Sequence, residues 1–429
     1  MTTSRAAVLR DAPSASAETP VHAIIHREPV HTLDDRVLGY TLSVEFGLTS
    51  VPTQRPAGSP PPGPVVDAAT VHATYLSLDL PNLVADRYVF LPATPAMLEG
   101  YVPTPVAPGR LVLDLPVGYE LTPDAVDRAA ALRGLGMQLA LVDYRGEPHQ
   151  EALLPHLAYV VVDVSDPDLP LAALVHHVHG AGARVLASGA VGMVADECRA
   201  AGVDGLRKVP GSRPPQPAPL ASPPAAGRVL RAAELQCLAL MHLLSQPDVD
   251  LGEVSQVIDT DPVLTLRSLH LVNSGAFALR VAVDTVHQAV VLLGIREVTT
   301  LVAALLVDSR PDAMDSLWFI LARALTCEKL ADDPAGYTVG MLSALTAQLG
   351  VPPEVVLEKV GVSEAVAEAI RSESGPLGSV LAAVRAHEVQ DTAGVYAAGL
   401  LPAEVSGAYI RCLADALATA RVVTREGGS

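Results

Sequence analysis

Short apolar runs alternate with helical patterns through the first half of the chain. Helical patterns at about 123–135, 151–156, 171–180 and 194–201 separate most of these runs. The runs are, in order, RYVFLPA, RLVLDLP, QLALVDY, AYVVVDV, RVLASGA and VDGLRKV. Continuous apolar strands separated by helices are typical of a parallel sheet that is covered on its faces. With this many repeats, the pattern favours a closed βα barrel over an open sheet.

Beyond residue 227 the pattern is helical throughout. Three consecutive segments begin with a carboxylate placed to cap a helix, at Asp250, Asp261 and Asp284. In the second segment the apolar spacing predicts that Leu266 and Leu269 face the core. The fold class predicted is therefore α/β plus all-α, a βα barrel followed by a helical domain.

Proline-rich segments mark the domain organisation of this chain of 429 residues. Residues 1–20 are expected to be a disordered, Ala/Ser/Thr-rich tail. Residues 21–209 are expected to form the barrel, interrupted by a Pro-rich surface insertion at 51–64. Residues 210–226 are expected to be a Pro-rich interdomain linker, and 227–424 the helical domain.

The formal net charge of −18 argues against nucleic acid or an anionic membrane as a main partner, because both require cationic surfaces. It weakly favours a partner with a basic surface. We find no signal peptide and no apolar run near the roughly 20 residues of a membrane span. Four scattered cysteines indicate a reducing compartment, so a soluble, cytoplasmic protein is predicted: Cys198, Cys237, Cys327 and Cys412.

Motifs in the helical half carry a family resemblance. DPVLTLRSLHLVNS and TVHQAVVLLGIREV resemble the HDOD domain, a helical domain related to the HD phosphohydrolases. The later motifs VGMLSALTAQLG and GPLGSVLAAVRAHE are similar to the C-terminal half of two-domain EAL–HDOD bacterial signalling proteins. HD enzymes bind metal through an adjacent His-Asp pair, which is replaced here by Ser343 and Ala344. The resemblance implies that this domain contacts a protein partner, whose identity the sequence does not give.

The first half resembles the EAL domain, a βα barrel that hydrolyses cyclic di-GMP. The opening HREPVHTLDDRVLGYTL is similar to the strand–turn–strand start of that family, and the later strand motifs follow in order. That chemistry requires carboxylates and an amide around two divalent ions, together with a lysine.

Most of these groups are replaced in this chain. The family's signature glutamate, asparagine, first paired aspartate and lysine fall at Thr41, Pro92, Val142 and Val161. The late glutamate falls within 188–191, where there is no acid. Three vestigial carboxylates remain at matching or nearby positions: Asp114, Asp143 and Asp163.

The resemblance therefore implies a non-enzymatic signalling protein, with no cofactor, no metal and no catalytic residue. Two alternatives stay open: an effector that binds cyclic di-GMP without hydrolysing it, and a cyclic di-GMP phosphodiesterase. A metal site at His176, His177 and His179 is a weaker hypothesis, since a solvated helix face explains these side chains. The oligomeric state is not predicted.

Overall fold

The computed structural model describes residues 21–34, 36–48, 67–100, 109–166, 168–189, 194–207, 232–246, 248–273, 283–308 and 313–424. The predicted tail, the insertion at 51–64 and the linker at 210–226 lie outside these residues. Eight strands form a closed barrel in chain order. They are β1 (Val21–His31), β2 (Val37–Leu48), β3 (Tyr88–Pro92), β4 (Leu111–Leu115), β5 (Gln138–Val142), β6 (Tyr159–Asp163), β7 (Arg184–Ser188) and β8 (Gly205–Leu206).

The first strand runs against the direction of the rest of the barrel. β1 is antiparallel to both β2 and β8, whereas the pairs from β2 to β8 are parallel. β1 and β2, at 11 and 12 residues, form a hairpin much longer than the other strands. This topology confirms the predicted barrel and its strand–turn–strand opening.

Two glycines allow the backbones at the seams of the barrel to approach closely. A Cβ atom added at Gly205 on β8 would lie 2.5 Å from the carbonyl oxygen of His31 on β1. At Gly39 on β2 it would lie 2.4 Å from the carbonyl oxygen of Tyr88 on β3. Any larger residue at either position would force the strands apart, so these glycines permit closure.

Helices cover the outside of the barrel, and a separate apolar cluster fills its interior. The covering helices are α1 (Ala68–Leu76), α2 (Leu80–Val84), α3 (Pro95–Leu98), α4 (Ala125–Gly134), α5 (Pro148–Leu153), α6 (Leu171–Gly180) and α7 (Val194–Ala201), with 3₁₀ turns at Tyr119–Leu121 and Leu154–His156. The interior cluster consists of Val30, Phe90, Val112, Ala140, Tyr159, Val161 and Leu186.

The second half of the chain is helical wherever it forms regular structure in the described residues. Its helices are α8 (Ala232–Leu244), α9 (Leu251–Asp259), α10 (Pro262–Asn273), α11 (Val286–Val307), α12 (Ala313–Ala331), α13 (Pro334–Leu349), α14 (Pro353–Val360), α15 (Glu364–Ser372), α16 (Gly375–Glu388), α17 (Thr392–Ala397) and α18 (Pro402–Thr424). α12 lies at the centre of this region and packs mainly against α13 and α18.

The face assigned to α10 from its spacing is wrong at one position. Leu266 is 57% exposed, whereas Leu269 is partly buried against the core. The apolar stripe includes Leu264, as the spacing also predicts, and Leu271, and both side chains are buried. A pattern rich in leucine leaves the buried face ambiguous by one helical position, and packing against the neighbouring helices decides it.

α11 is, among the described residues, long and apolar enough to cross a membrane by length and composition. Core helices pass the same test. In this structure α11 packs against α8, α9, α10 and α12. Its helical geometry is broken at Gly294, where φ is 79°. The packing makes α11 a core helix of the helical region.

The helical region packs directly on the β1–β2 hairpin. The guanidinium of Arg27 lies 3.5 Å from the ring centroid of Tyr40 and 4.0 Å from that of Trp318 on α12. Asp315 on α12 accepts hydrogen bonds from the Tyr40 hydroxyl, at 2.8 Å, and from Nη2 of Arg87, at 2.7 Å. Barrel and helices therefore share one buried interface.

Candidate functional site

The positions that match the EAL ligand set lie on consecutive strands of the barrel. Thr41 on β2 is in register with Phe90 on β3, and Pro92 at the end of β3 is in register with Asp114 on β4. Val142 on β5 is in register with Val161 on β6. The structure thus places these positions on consecutive strands, in direct register or two residues apart, since Asp114 is in register with Ala140.

The side chains at the replaced positions offer little to a metal ion. Val161 belongs to the interior apolar cluster, and Val142 packs against it. Pro92 has no donor or acceptor in its side chain. Thr41 is buried, and its hydroxyl has no hydrogen-bond partner among the described residues. The apolar side chains of Val142 and Val161 therefore occupy this part of the barrel.

Asp114 is held inside the barrel by an arginine. Nη1 of Arg207 donates to Oδ1 of Asp114 at 2.8 Å, and Nη2 donates to Oδ2. Both side chains are buried, and the guanidinium lies 5.0 Å from the ring centroid of Phe90. The bidentate pair engages both carboxylate oxygens with a fixed cation.

This pairing tests whether the barrel fits a pair of divalent ions. A Mg²⁺-like ion requires near-octahedral oxygen ligands. The carboxylate of Asp114 is already neutralised by Arg207, and a metal ion at this carboxylate would leave the buried guanidinium without its counterion and next to a second cation. The residues at this end of the barrel therefore do not fit the two-ion site of the EAL enzymes.

The other two vestigial carboxylates point elsewhere. Asp143 is exposed, and its Oδ1 accepts from Nε of Arg145 at 3.1 Å. Asp163 accepts from the backbone N–H of Ser165 at 3.0 Å and from its hydroxyl. The Ser165 hydroxyl, followed by the backbone hydrogen bond, holds the pKa of Asp163 below its usual value. Within the described parts of the chain, no three side chains of His, Cys, Asp or Glu come together as a potential metal site.

The place of the missing His-Asp pair in the helical region also faces a buried arginine. Ser343 and Ala344 are buried on α13, and the Ser343 hydroxyl accepts from Nη1 of Arg323 at 3.1 Å. Nε of Arg323 donates to Oε1 of Glu388 at 3.0 Å, and Nη2 donates to Oε2. Burial by itself would lower the pKa of Arg323, but the Glu388 carboxylate raises it. Arg323 is therefore a permanent cation at this position.

The histidine cluster on α6 divides between two partners. Nε2 of His177 lies 2.7 Å from Oε2 of Glu151, and Nε2 of His179 lies 2.8 Å from Oδ2 of Asp204. His177 and His179 thus engage carboxylates of different elements. This arrangement does not form a shared metal site.

Sequence reasoning missed Arg207, Arg323 and Glu388. Arg207 directly follows β8, the short last strand of the barrel, and Arg323 lies in the apolar run FILARAL. A lone cation in an apolar segment indicates a buried ion pair, because an unpaired charge there is strongly disfavoured. The signal does not identify the carboxylate partner, which lies far away in the chain.

Comparison with known proteins identifies the helical region. Residues 235–340 match the family model of the HDOD domain. The chain contains an HDOD domain. The matched segment extends from α8 into α13, and α14 to α18 lie beyond it. The predicted architecture, an EAL-like barrel followed by a helical region with an HDOD domain, is confirmed.

Two relatives match along most of their length. The cyclic di-GMP phosphodiesterase CdgJ of Vibrio cholerae is 24% identical over 396 residues, covering 88% of this chain and 88% of the relative. The protein YuxH of Bacillus subtilis is 20% identical over 366 residues, covering 82% and 87%.

Among solved structures, an EAL domain protein from Listeria monocytogenes is similar, with 13% identity and a TM-score of 0.32, over 44% of this chain and 86% of that chain. The Bacillus subtilis YkuI protein, which has an EAL domain and is in complex with cyclic di-GMP and calcium, has 13% identity and a TM-score of 0.32, over 44% and 54%.

Proposed function

We propose that this chain is a signalling protein whose EAL-like barrel does not hydrolyse cyclic di-GMP and whose HDOD-containing region contacts a protein partner. The observation that carries the proposal is the buried Asp114–Arg207 ion pair. It neutralises the one vestigial carboxylate that lies inside the barrel.

The barrel also lacks groups that would attract the phosphates of the nucleotide. Val161 stands at the lysine position and Pro92 at the amide position. A phosphate without a partner in an apolar site is strongly disfavoured. We therefore expect cyclic di-GMP to bind no more tightly than about 1 mM, roughly −4 kcal/mol.

The competing function is hydrolysis. It is favoured by the similarity to a relative named as a cyclic di-GMP phosphodiesterase. For this chain, hydrolysis would require Arg207 to leave Asp114 and Asp143 to release Arg145, since both carboxylates are paired. The third candidate, a binding effector without hydrolysis, would require new contacts to phosphate.

The test is incubation of the purified full chain with cyclic di-GMP and Mg²⁺ or Mn²⁺, with products separated by chromatography. We expect no turnover above a buffer blank. Turnover that disappears in the variants Asp114→Ala and Asp143→Ala would identify a phosphodiesterase and contradict the proposal. Calorimetry that shows micromolar binding without turnover would support the effector instead.

A further inference from the structure

A cavity of about 280 Å³ opens on the surface of the helical region. Its floor is formed by buried apolar side chains from α8, α13 and α14, including Met241, Leu342 and Val360. Hydroxyl groups of Thr299 and Thr338 lie among the lining residues. The cavity is thus an apolar depression with a few neutral polar groups.

The charged groups of the rim neutralise each other. Nη2 of Arg296 lies 2.7 Å from Oε2 of Glu328, and the guanidinium lies 4.5 Å from the ring centroid of Tyr337. Because Arg296 is already paired with Glu328, its guanidinium is not available to a phosphate or carboxylate ligand. The chemistry favours an apolar occupant.

Exposed apolar side chains continue from the cavity along α11. Val291, Leu292 and Ile295 are 51%, 49% and 42% exposed, and Ile295 also lines the cavity. Val291 and Leu292 precede the break of the helix at Gly294 and Ile295 directly follows it, so the three residues lie within five positions of the chain. We name these three residues the α11 ledge. A row of exposed apolar residues that leads into a cavity marks an interaction surface more strongly than isolated ones do.

The cavity is large enough for one large side chain. Small-molecule sites span about 300–1,000 Å³, and the volume of this cavity lies close to the lower end of that range. A cavity for one large side chain beside an apolar ledge is the arrangement by which grooves bind amphipathic helices. In such interfaces an aromatic or aliphatic anchor supplies much of the binding energy.

Charge around the cavity indicates what the partner carries. Within two residues of a lining residue, the chain has four carboxylates and two ammonium groups besides the Arg296–Glu328 pair. They are Glu297, Asp332, Asp333 and Glu358, against Lys329 and Lys359. This local excess has the same sign as the net charge of −18. A basic partner is complementary to both.

We propose that the cavity and the α11 ledge form the docking site for a basic amphipathic helix of a partner protein, which inserts one large apolar side chain into the cavity. The inference rests on the proposed function, since it names the surface through which the HDOD-containing region contacts its partner. Most lining residues fall within the matched HDOD segment.

The test uses the full chain and a panel of labelled helical peptides, with binding followed by fluorescence anisotropy. Each peptide carries Lys and Arg on one face and a central Leu, Met, Phe or Trp anchor on the other. We expect at least one anchor to bind, and its replacement by Ala to weaken binding at least about tenfold. Ile295→Glu on the ledge and Thr338→Phe in the cavity should weaken binding similarly.

Val117→Glu is the matched control, because Val117 is 95% exposed and lies beyond β4 on the barrel. It adds the same negative charge as Ile295→Glu and should leave binding unchanged. The added charge attracts a basic peptide, so weaker binding to Ile295→Glu reports the lost apolar contact. Circular dichroism establishes that each variant is folded.

Four outcomes overturn the proposal. The first is that no peptide binds, and the second is that binding changes neither when the anchor is replaced by Ala nor in Ile295→Glu. The third is that free indole binds as tightly as the peptides. The fourth is that peptides bind only after deletion of residues 1–20. The last would make the chain's own N-terminal segment the occupant. Cyclic di-GMP turnover is measured on the same preparations. Turnover together with intact peptide binding refutes only the proposal that the barrel does not hydrolyse cyclic di-GMP. Absence of both turnover and peptide binding refutes only the docking site.

Discussion

Arg207 and Arg323 are both buried cations, and each is paired with one carboxylate. Arg207 engages Asp114 inside the barrel, and Arg323 engages Glu388 beside Ser343. A guanidinium stays charged at any accessible pH and holds two carboxylate oxygens at once. Beside Asp114 and beside Ser343, the chain therefore supplies a permanent buried positive charge.

The ion pair in the barrel predicts strong coupling between its two members. Arg207→Ala or Asp114→Ala should each lower the free energy of unfolding by about 3–5 kcal/mol, because each leaves one charge buried and unpaired. The double variant Arg207→Met with Asp114→Leu should be close to neutral. Urea denaturation measures all three.

Removal of the exposed Arg145–Asp143 pair is the matched control, with an expected change of at most about 1 kcal/mol. If the double variant Arg207→Ala with Asp114→Ala lost as much stability as the two single variants together, the absence of coupling would contradict the buried pair.

The buried side chain of His387 leads us to expect that the folded protein loses stability in acid. The ring is buried, stacks on His26 at 5.4 Å between centroids, and meets the ring of Tyr409 edge-on at 5.2 Å. Burial, assisted by the charge of His26, lowers the pKa of His387 from 6.5 to about 3. Protonation thus favours the unfolded state, so stability from this residue is present above pH 6.5 and declines as the pH falls towards 3.

Between pH 7 and pH 5 this residue should cost the wild-type chain about 2 kcal/mol of unfolding free energy. His387→Phe keeps an aromatic ring and removes the titrating group. Between pH 7 and pH 5 the unfolding free energy of this variant should therefore fall by about 2 kcal/mol less than that of the wild type. Urea titrations at both pH values provide the measurement. Equal losses in the two proteins would mean that His387 titrates normally.

At the scale of single elements, capping side chains set where helices of the HDOD-containing region begin. Asp261 accepts from the backbone N–H of Leu264 at 3.3 Å, which agrees with its predicted capping role. At α11 the cap is one residue later than predicted, since Thr285 accepts from the N–H of Gln288. Both side chains satisfy N–H groups that the first turn leaves unpaired.

The two neighbouring residues at the start of α11 provide a matched comparison. Thr285→Ala should lower the free energy of unfolding by about 1 kcal/mol, as should Asp261→Ala at α10. Asp284→Ala should change it by less than about 0.5 kcal/mol, because exposed Asp284 lies outside the cap. Thermal or urea unfolding that ranks Asp284 above Thr285 would contradict the observed cap.

At the scale of the whole molecule, the β1–β2 hairpin joins the barrel to the helices. Besides the Arg27–Trp318 contact, the backbone N–H of Ile25 donates to the Ser406 hydroxyl at 2.8 Å, and the Thr392 hydroxyl donates to Glu45 at 2.9 Å. The hairpin thus contacts α12, α17 and α18. A displacement of the hairpin would therefore be transmitted directly to these three helices.

This interface predicts that both halves unfold together. Trp318 is the single tryptophan, so its fluorescence reports on α12, whereas circular dichroism reports on all helices. The two signals should change at the same urea concentration. Arg27→Ala should lower that midpoint and cost about 2 kcal/mol, the value of a desolvated cation–π contact.

Arg27→Lys is the control variant, because it keeps the charge and loses the planar stacking between the two rings. An intermediate cost is expected. Two separate transitions, or Trp318 emission unaffected by Arg27→Ala, would show that the helical region is stable without the barrel contact.

The amino-acid sequence by itself determined the order of the barrel strands and the helical second half. These features are local, because apolar period, capping residues and side-chain identity are all read within a short window. The tertiary structure alone decided that Leu266 is exposed, that Arg207 reaches Asp114 across 93 residues, and that Ile25 meets Ser406 across 381. A sequence pattern reports that a buried charge needs a partner, but only closure of the barrel and docking of the helices bring that partner within hydrogen-bonding distance.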